Sequence, residues 1–284
     1  MRRPLLLAVL AGSLFASPAL ADVTVRYRAV LPESAPANVR QNPPTMTVAA
    51  DGAGQARMEV TAPVTGDAPP PSIAFITREN VGYVAATAPG GAMQMVARTE
   101  DVLAIATQFA APLLRGSAQE GARMVMQQRV EIHPVGPEAV NGVQGNLYRV
   151  VLVNGETRSP PMEIVVATDP RLAPVGQEFS RLVDSFRPTV VQLLGSEPQI
   201  YMALRGLMGL GAPLRIGNEF RIDSVSTEDV PDSRFALPGP VMSREQLLQM
   251  ATMMTGMMRQ GMSGAPPGAP APSSTPPADA RNPN

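Results

Sequence analysis

Five of the nine residues from Met250 to Met258 are methionine, with Met262 just beyond. On a helix Met250, Met254, Met257 and Met258 share one broad side. Thioethers are soft ligands that select Cu(I). They are also flexible groups that fill gaps and suit adaptable binding surfaces. The stretch therefore reads as a packing or partner-facing helix, with Cu(I) handling as the alternative. The rest of the chemical inventory is thin. The one histidine, His133, ends a strand on its polar face, and there is no cysteine. With no cysteine and no second histidine, a zinc site or a Ser-His-Asp relay around it is poorly supported, and no G-x-S-x-G elbow occurs. Gly52-Ala53-Gly54 lacks the third glycine and following helix of a dinucleotide fingerprint, so it is a turn. Glu100-Asp101 and Glu228-Asp229 sit at element ends among polar residues, where solvated carboxylates are the rule. The chain contains no lysine, which removes P-loop and Schiff-base chemistry. No catalytic, metal or cofactor-binding residue is assigned, and the reading is non-enzymatic.

The first 21 residues have the form of a signal peptide. Arg2 and Arg3 open it, Leu5–Phe15 is an apolar run too short to span a bilayer, and Ala19-Leu20-Ala21 is a small-residue cleavage site. Cleavage is expected after Ala21, giving a periplasmic protein with no integral membrane segment. The whole chain balances 23 basic against 24 acidic residues. Without Arg2 and Arg3 the mature net charge is about −3, which is no footprint for nucleic acid. A secreted domain without disulfides must rest on its core, and residues 22–241 suffice for one.

Most of that span alternates with the strand period of two. Val23, Val25, Tyr27 and Ala29 face in and Thr24, Arg26 and Arg28 out. Pro32–Pro44 is a loop. Met46–Ala50 and Gln55–Ala62 form a hairpin around residues 51–54, with Ala56, Met58 and Val60 inward, and Gly66–Pro71 is a second loop. Ser72–Arg98 is a three-stranded meander with turns at Glu79-Asn80 and Ala88–Ala92. Its Ile73, Phe75, Val81, Tyr83, Met93 and Met95 are assigned to one apolar face. Glu100–Arg115 switches to helical spacing, and Ala122–His133 returns to a strand. Asn141-Gly142 precedes the strand Leu147–Val153, and Asn154-Gly155 is a hairpin signal pairing it with Met162–Thr168. Helix Val175–Phe186 places Glu178, Arg181 and Asp184 on its polar face and is expected to end or kink at Pro188. A second helix opens with a Ser196–Gln199 capping box and runs to Leu210. Strands Leu214–Ile216 and Glu219–Val225 complete the sheet, and Phe235–Pro238 closes the domain. The tail is a Met-rich helix, residues 242–262, with Ser243 and Gln246 as a capping box. A Pro-rich segment, residues 263–284, is expected to be disordered.

The meander FITRENVGYVAATAPGGAMQMVAR, the pair VNGVQGNLYRVVLVNGE, MEIVVATDPRL, GAPLRI and the closing FRIDSVSTEDVPDSRFALPGP together resemble a family of bacterial secreted proteins of unknown function. That family is grouped with the outer-membrane lipoprotein carriers (LolA/LppX-like half-barrels), and the resemblance covers roughly Val23–Val241. It implies a mainly β (α+β) fold, a strongly curved antiparallel half-barrel with amphipathic helices over its concave face and an apolar cavity between. In the carriers that cavity holds acyl chains. Members often carry a cysteine near the position of Gly145 or Asn146, absent here. The expected function is binding of an apolar ligand, a lipid or acyl chain, or of a lipidated partner. The alternatives are an envelope scaffold that docks a protein partner through the Met-rich helix and Pro-rich tail, or Cu(I) handling.

Overall fold

The computed structural model describes residues 22–63, 68–91, 93–113 and 126–263. The strands are β1 (Val23–Ala29), β2 (Thr45–Ala50), β3 (Ala56–Thr61), β4 (Ser72–Arg78), β5 (Val81–Thr87), β6 (Gln94–Arg98), β7 (Arg129–Val140), β8 (Val143–Asn154), β9 (Thr157–Arg158), β10 (Met162–Ala167), β11 (Pro213–Ile216) and β12 (Phe220–Ser226). They form one 12-stranded sheet in the order β6-β5-β4-β3-β2-β1-β12-β11-β10-β8-β7, with β9 beside β8. Every pairing is antiparallel. The sheet is open, two sequential runs joined where β1 meets β12. The helices are α1 (Ala37–Gln41), α2 (Thr99–Leu113), α3 (Ala173–Leu194), α4 (Gln199–Leu210) and α5 (Arg244–Ser263). None of the described helices is long and apolar enough to cross a membrane.

Two-residue turns build the long hairpins. Glu79 and Asn80 join β4 to β5 with φ of 51° and 62°, and Asn141 and Gly142 join β7 to β8 with φ of 48° and 80°. Two successive positive φ values match the right-handed twist of the flanking strands. Both edges of the sheet are blunted. The Met242 N–H donates to the Val96 carbonyl on β6 at 2.7 Å. On β7, Pro134 and Pro137 offer no N–H, and a register shift sits between Pro134 and Gly136.

The main core gathers Val23, Val25, Tyr27, Val48, Met58, Val150, Ile164, Leu214 and Ile222 of the sheet with Leu172 and with Val175, Phe179 and Leu207 of α3 and α4. Phe179 meets Tyr27 edge to face, ring centroids 5.9 Å apart. The Tyr27 hydroxyl is buried and makes no hydrogen bond among the described residues, and burial pushes its pKa up. An unsatisfied buried donor costs about 1–3 kcal/mol. We therefore expect Tyr27→Phe to unfold at an equal or higher urea concentration; a clearly lower midpoint would show that the hydroxyl has a partner.

Several sequence expectations need correction. The meander does not have a single apolar face. Phe75 pairs with Val84 and Ile73 with Ala86, while Tyr83 lies opposite Ile76 and Val81 opposite Arg78. Ile73, Phe75 and Met95 thus share one side, and Val81 and Tyr83 take the other. There Ala74, Ile76, Ala85 and Val96 form a second cluster with Tyr83 and Leu237. The loop Pro32–Pro44 contains the short α1. Of the strand expected at Ala122–His133, residues 122–125 lie outside the described residues; the described strand is Arg129–Val140 and runs on through both prolines, which an edge position permits. The next strand is likewise longer, Val143–Asn154. It pairs with β10 as expected, but its immediate hairpin partner is β9.

Helix α3 passes through Pro188 rather than ending there. Proline breaks the one bond to the Asp184 carbonyl, on a stretch where Phe186, Arg187 and Pro188 are exposed. The Ser196 capping box does not form; Pro198 precedes α4 without a side-chain cap. Gln199 instead accepts the Val130 N–H at 3.1 Å, tying α4 to β7. The Ser243/Gln246 box does form, with the Ser243 N–H donating to Gln246 Oε1 at 2.8 Å and the Gln246 N–H to Ser243 Oγ at 3.3 Å. The signal peptide, residues 1–21, and the tail from 264 to 284 lie outside the described residues, as do 64–67 of the second loop.

Candidate functional site

Antiparallel register lays the residues of one face of the sheet out in rows across the strands. In the first, Met46, Val60, Ile73, Ala86 and Met95 are successive cross-strand partners from β2 to β6. Two residues along each strand comes a second row, Val48, Met58, Phe75, Val84 and Ala97, and after it a third, Ala50, Ala56, Thr77 and Gly82. Rows on one face lie about 7 Å apart.

Val60, Ile73, Ala86 and Met95 of the first row floor an open apolar cavity of about 630 Å³. Pro44, Pro63, Pro71 and Met93 contribute to its rim, and Met250 of α5 lines it as well. Helix α5 is held there because Leu247 is buried against Ala97 and Ile105 of α2, with Met95 and Met250 packed beside them. Thr61, Ser72 and Thr87 bring hydroxyl groups, and no lining residue is charged. Ile73 is 49% exposed and Met93 62%, a large cost in apolar surface unless something covers it. Of the clustered methionines, Met250 thus faces the chain's own sheet, and Met253 is exposed. The side chains of Met254, Met257, Met258 and Met262 lie outside the description. Among the described residues no cluster of His, Asp and Glu could hold a metal.

The third row borders a second, more polar cavity of about 210 Å³, where Thr77, Thr99 and Glu178 and Arg181 of α3 stand beside Phe75, Tyr83 and Leu182. Three of the four buried polar side chains among the described residues, Thr77, Thr99 and Glu178, line it. Glu178, expected on the polar face of its helix, is only 2% exposed. Thr77 Oγ1 donates to its Oε1 at 2.9 Å, and Arg181 Nη1 approaches its Oε2 at 3.5 Å while also donating to the Gly54 carbonyl at 3.2 Å. The pair clamps α3 onto β4 and onto the turn between β2 and β3. Burial pushes the Glu178 carboxyl above its usual range, against the opposing pull of Thr77 and Arg181.

A raised folded-state pKa means that the native state binds the proton more tightly than the unfolded chain. This contribution is complete below the ordinary glutamate range and is lost as pH rises through the folded value. Against the parent, Glu178→Gln should gain stability between acid and neutral pH. Urea midpoints of both proteins at the two pH values test this, and a constant difference would sink it.

Compared with protein families, with characterised proteins and with solved structures, the chain matches none.

The other candidate residues are scattered. His133 is exposed on β7, its Nε2 3.4 Å from Glu131, whose carboxyl Arg158 holds below the usual range. Glu100 faces Arg98 at 3.5 Å in solvent, and Glu228 and Asp229 are exposed. Gly52-Ala53-Gly54 is a turn in which Asp51 Oδ1 accepts the N–H groups of Ala53 and Gln55. At Gly145 a side chain has no room, since a Cβ would lie 2.6 Å from the Val166 carbonyl oxygen, whereas Asn146 is exposed.

Proposed function

We propose that the chain is a secreted, periplasmic, non-enzymatic protein of the half-barrel class. In this reading the sheet is strongly curved, helices cover its concave face, and a hydrocarbon chain of a lipid or lipidated partner occupies the cavity floored by Val60, Ile73, Ala86 and Met95. The observation that carries it is the uncharged lining of a 630 Å³ cavity, a size typical of small-molecule sites. Burying hydrocarbon there is worth about 0.8 kcal/mol per methylene. With no ion pair available along the lining, the polar head of such a ligand stays at the mouth, and its charge matters little to affinity. Organic extracts of gently purified protein, analysed by mass spectrometry, should contain a co-purified lipid, and delipidated protein should take up a fluorescent fatty acid with little dependence on salt. Absence of both would refute the reading.

A further inference from the structure

We propose that Phe75, in the row Met58–Phe75–Val84, is the stop that sets how long a hydrocarbon chain the cavity accepts. The inference rests on the reading of that cavity as a chain-binding site. Ile73, Phe75 and Thr77 leave β4 on one face, and their neighbours on β5 are Ala86, Val84 and Gly82. Ile73 and Ala86 line the apolar cavity, and Thr77 and Gly82 line the polar one. Phe75 lines the polar cavity and is absent from the lining of the apolar one, and on β4 it lies between Ile73 and Thr77, so it belongs to the wall between them. Its partners Met58 and Val84 are buried, as are Val48 and Ala97 at the ends of the row. The row is therefore a filled bar rather than a passage.

A chain entering over Ile73 meets this bar after one step of the pleat. Beyond it stand the Thr77 hydroxyl and the Glu178 carboxyl, 2.9 Å apart, a surface that hydrocarbon does not wet. Removing the Phe75 ring lengthens the apolar space by about 7 Å, one row, before the polar groups stop it again. The limit on chain length is thus double, aromatic first and polar behind.

The test is a binding series with straight-chain fatty acids of increasing length, read by displacement of a fluorescent probe. In the parent, affinity should rise about fourfold per methylene and then level off at a break length. Phe75→Ala should move the break to longer chains, and Val84→Leu, which thickens the bar, to shorter ones. Phe75→Leu serves if the alanine variant fails to fold, and urea midpoints report folding for each. The same break in folded Phe75 variants and parent would overturn the proposal. So would a parent series with no break at all. A parent that takes up no chain of any length would instead refute the chain-binding reading beneath it.

Discussion

Replacing Ile73 by glutamate should lower fatty-acid affinity by roughly thirtyfold or more, equivalent to about 2 kcal/mol, without unfolding the protein. Ile73 lies in the middle of the first row, flanked by Val60 and Ala86. With the cavity unfilled the side chain is about half exposed, so a carboxylate there keeps its water and the fold tolerates it. Once a hydrocarbon chain enters, that water is displaced, and no lining residue offers a compensating charge. Stranding a charge in such surroundings costs several kcal/mol unless it is neutralised. Ile132, on the edge strand β7 and likewise exposed, is the matched control, and Ile132→Glu should leave uptake unchanged. Probe titration decides the matter. Equal affinity in Ile73→Glu and parent would move any ligand away from this row.

Gly176→Ala should destabilise the protein by about 2–4 kcal/mol, although glycine-to-alanine in a helix ordinarily gains up to about 1 kcal/mol. Gly176 lies in the first turns of α3, where the helix presses on the chain between α4 and β11. A Cβ there would stand 2.5 Å from the Gly211 carbonyl carbon and 2.9 Å from the Ala212 nitrogen. Those are backbone atoms and cannot swing aside, so the helix must back away from the core that Val175 and Phe179 fill. Gly206 on α4 supplies the contrast, because a Cβ there meets nothing within 4 Å. Gly206→Ala should therefore stabilise. Opposite signs in thermal or urea unfolding are the expected result. Gains in both would mean that α3 has slack at this contact.

The strands and hairpins were legible because alternation and turn residues are local signals. Val23, Val25 and Tyr27, and Ala56 and Met58, are buried as their spacing indicates, while Val60, on the same side as Met58, is exposed. What spacing alone does not give is how faces match across a turn. A two-residue turn pairs Arg78 with Val81, so odd positions of β4 share a side with even positions of β5. That parity moves Tyr83 away from Ile73 and brings in Ala86, too small to stand out in a hydropathy reading. Pro188 and Ser196 misled for a related reason. Each is a local stop or start signal, and tertiary context overrode it: an exposed helix side at Pro188, a strand needing an acceptor at Gln199. Glu178 looked like a solvated helix residue because its partner Thr77 lies 101 positions away in the chain. Three of the four floor residues, Val60, Ile73 and Met95, were thus visible in the sequence, and the inner boundary of the cavity not at all.

The seam between β1 and β12 has a consequence for how the chain acquires its structure. Thr24 pairs with Ser226, so β1 waits for a partner roughly 200 residues later, and contacts so distant in the chain slow folding. Within the β1–β6 run, and among β7, β8 and β10, paired strands lie close in sequence. The middle of the finished sheet is thus its longest-range join, and without β12 one side of β1 has no partner strand.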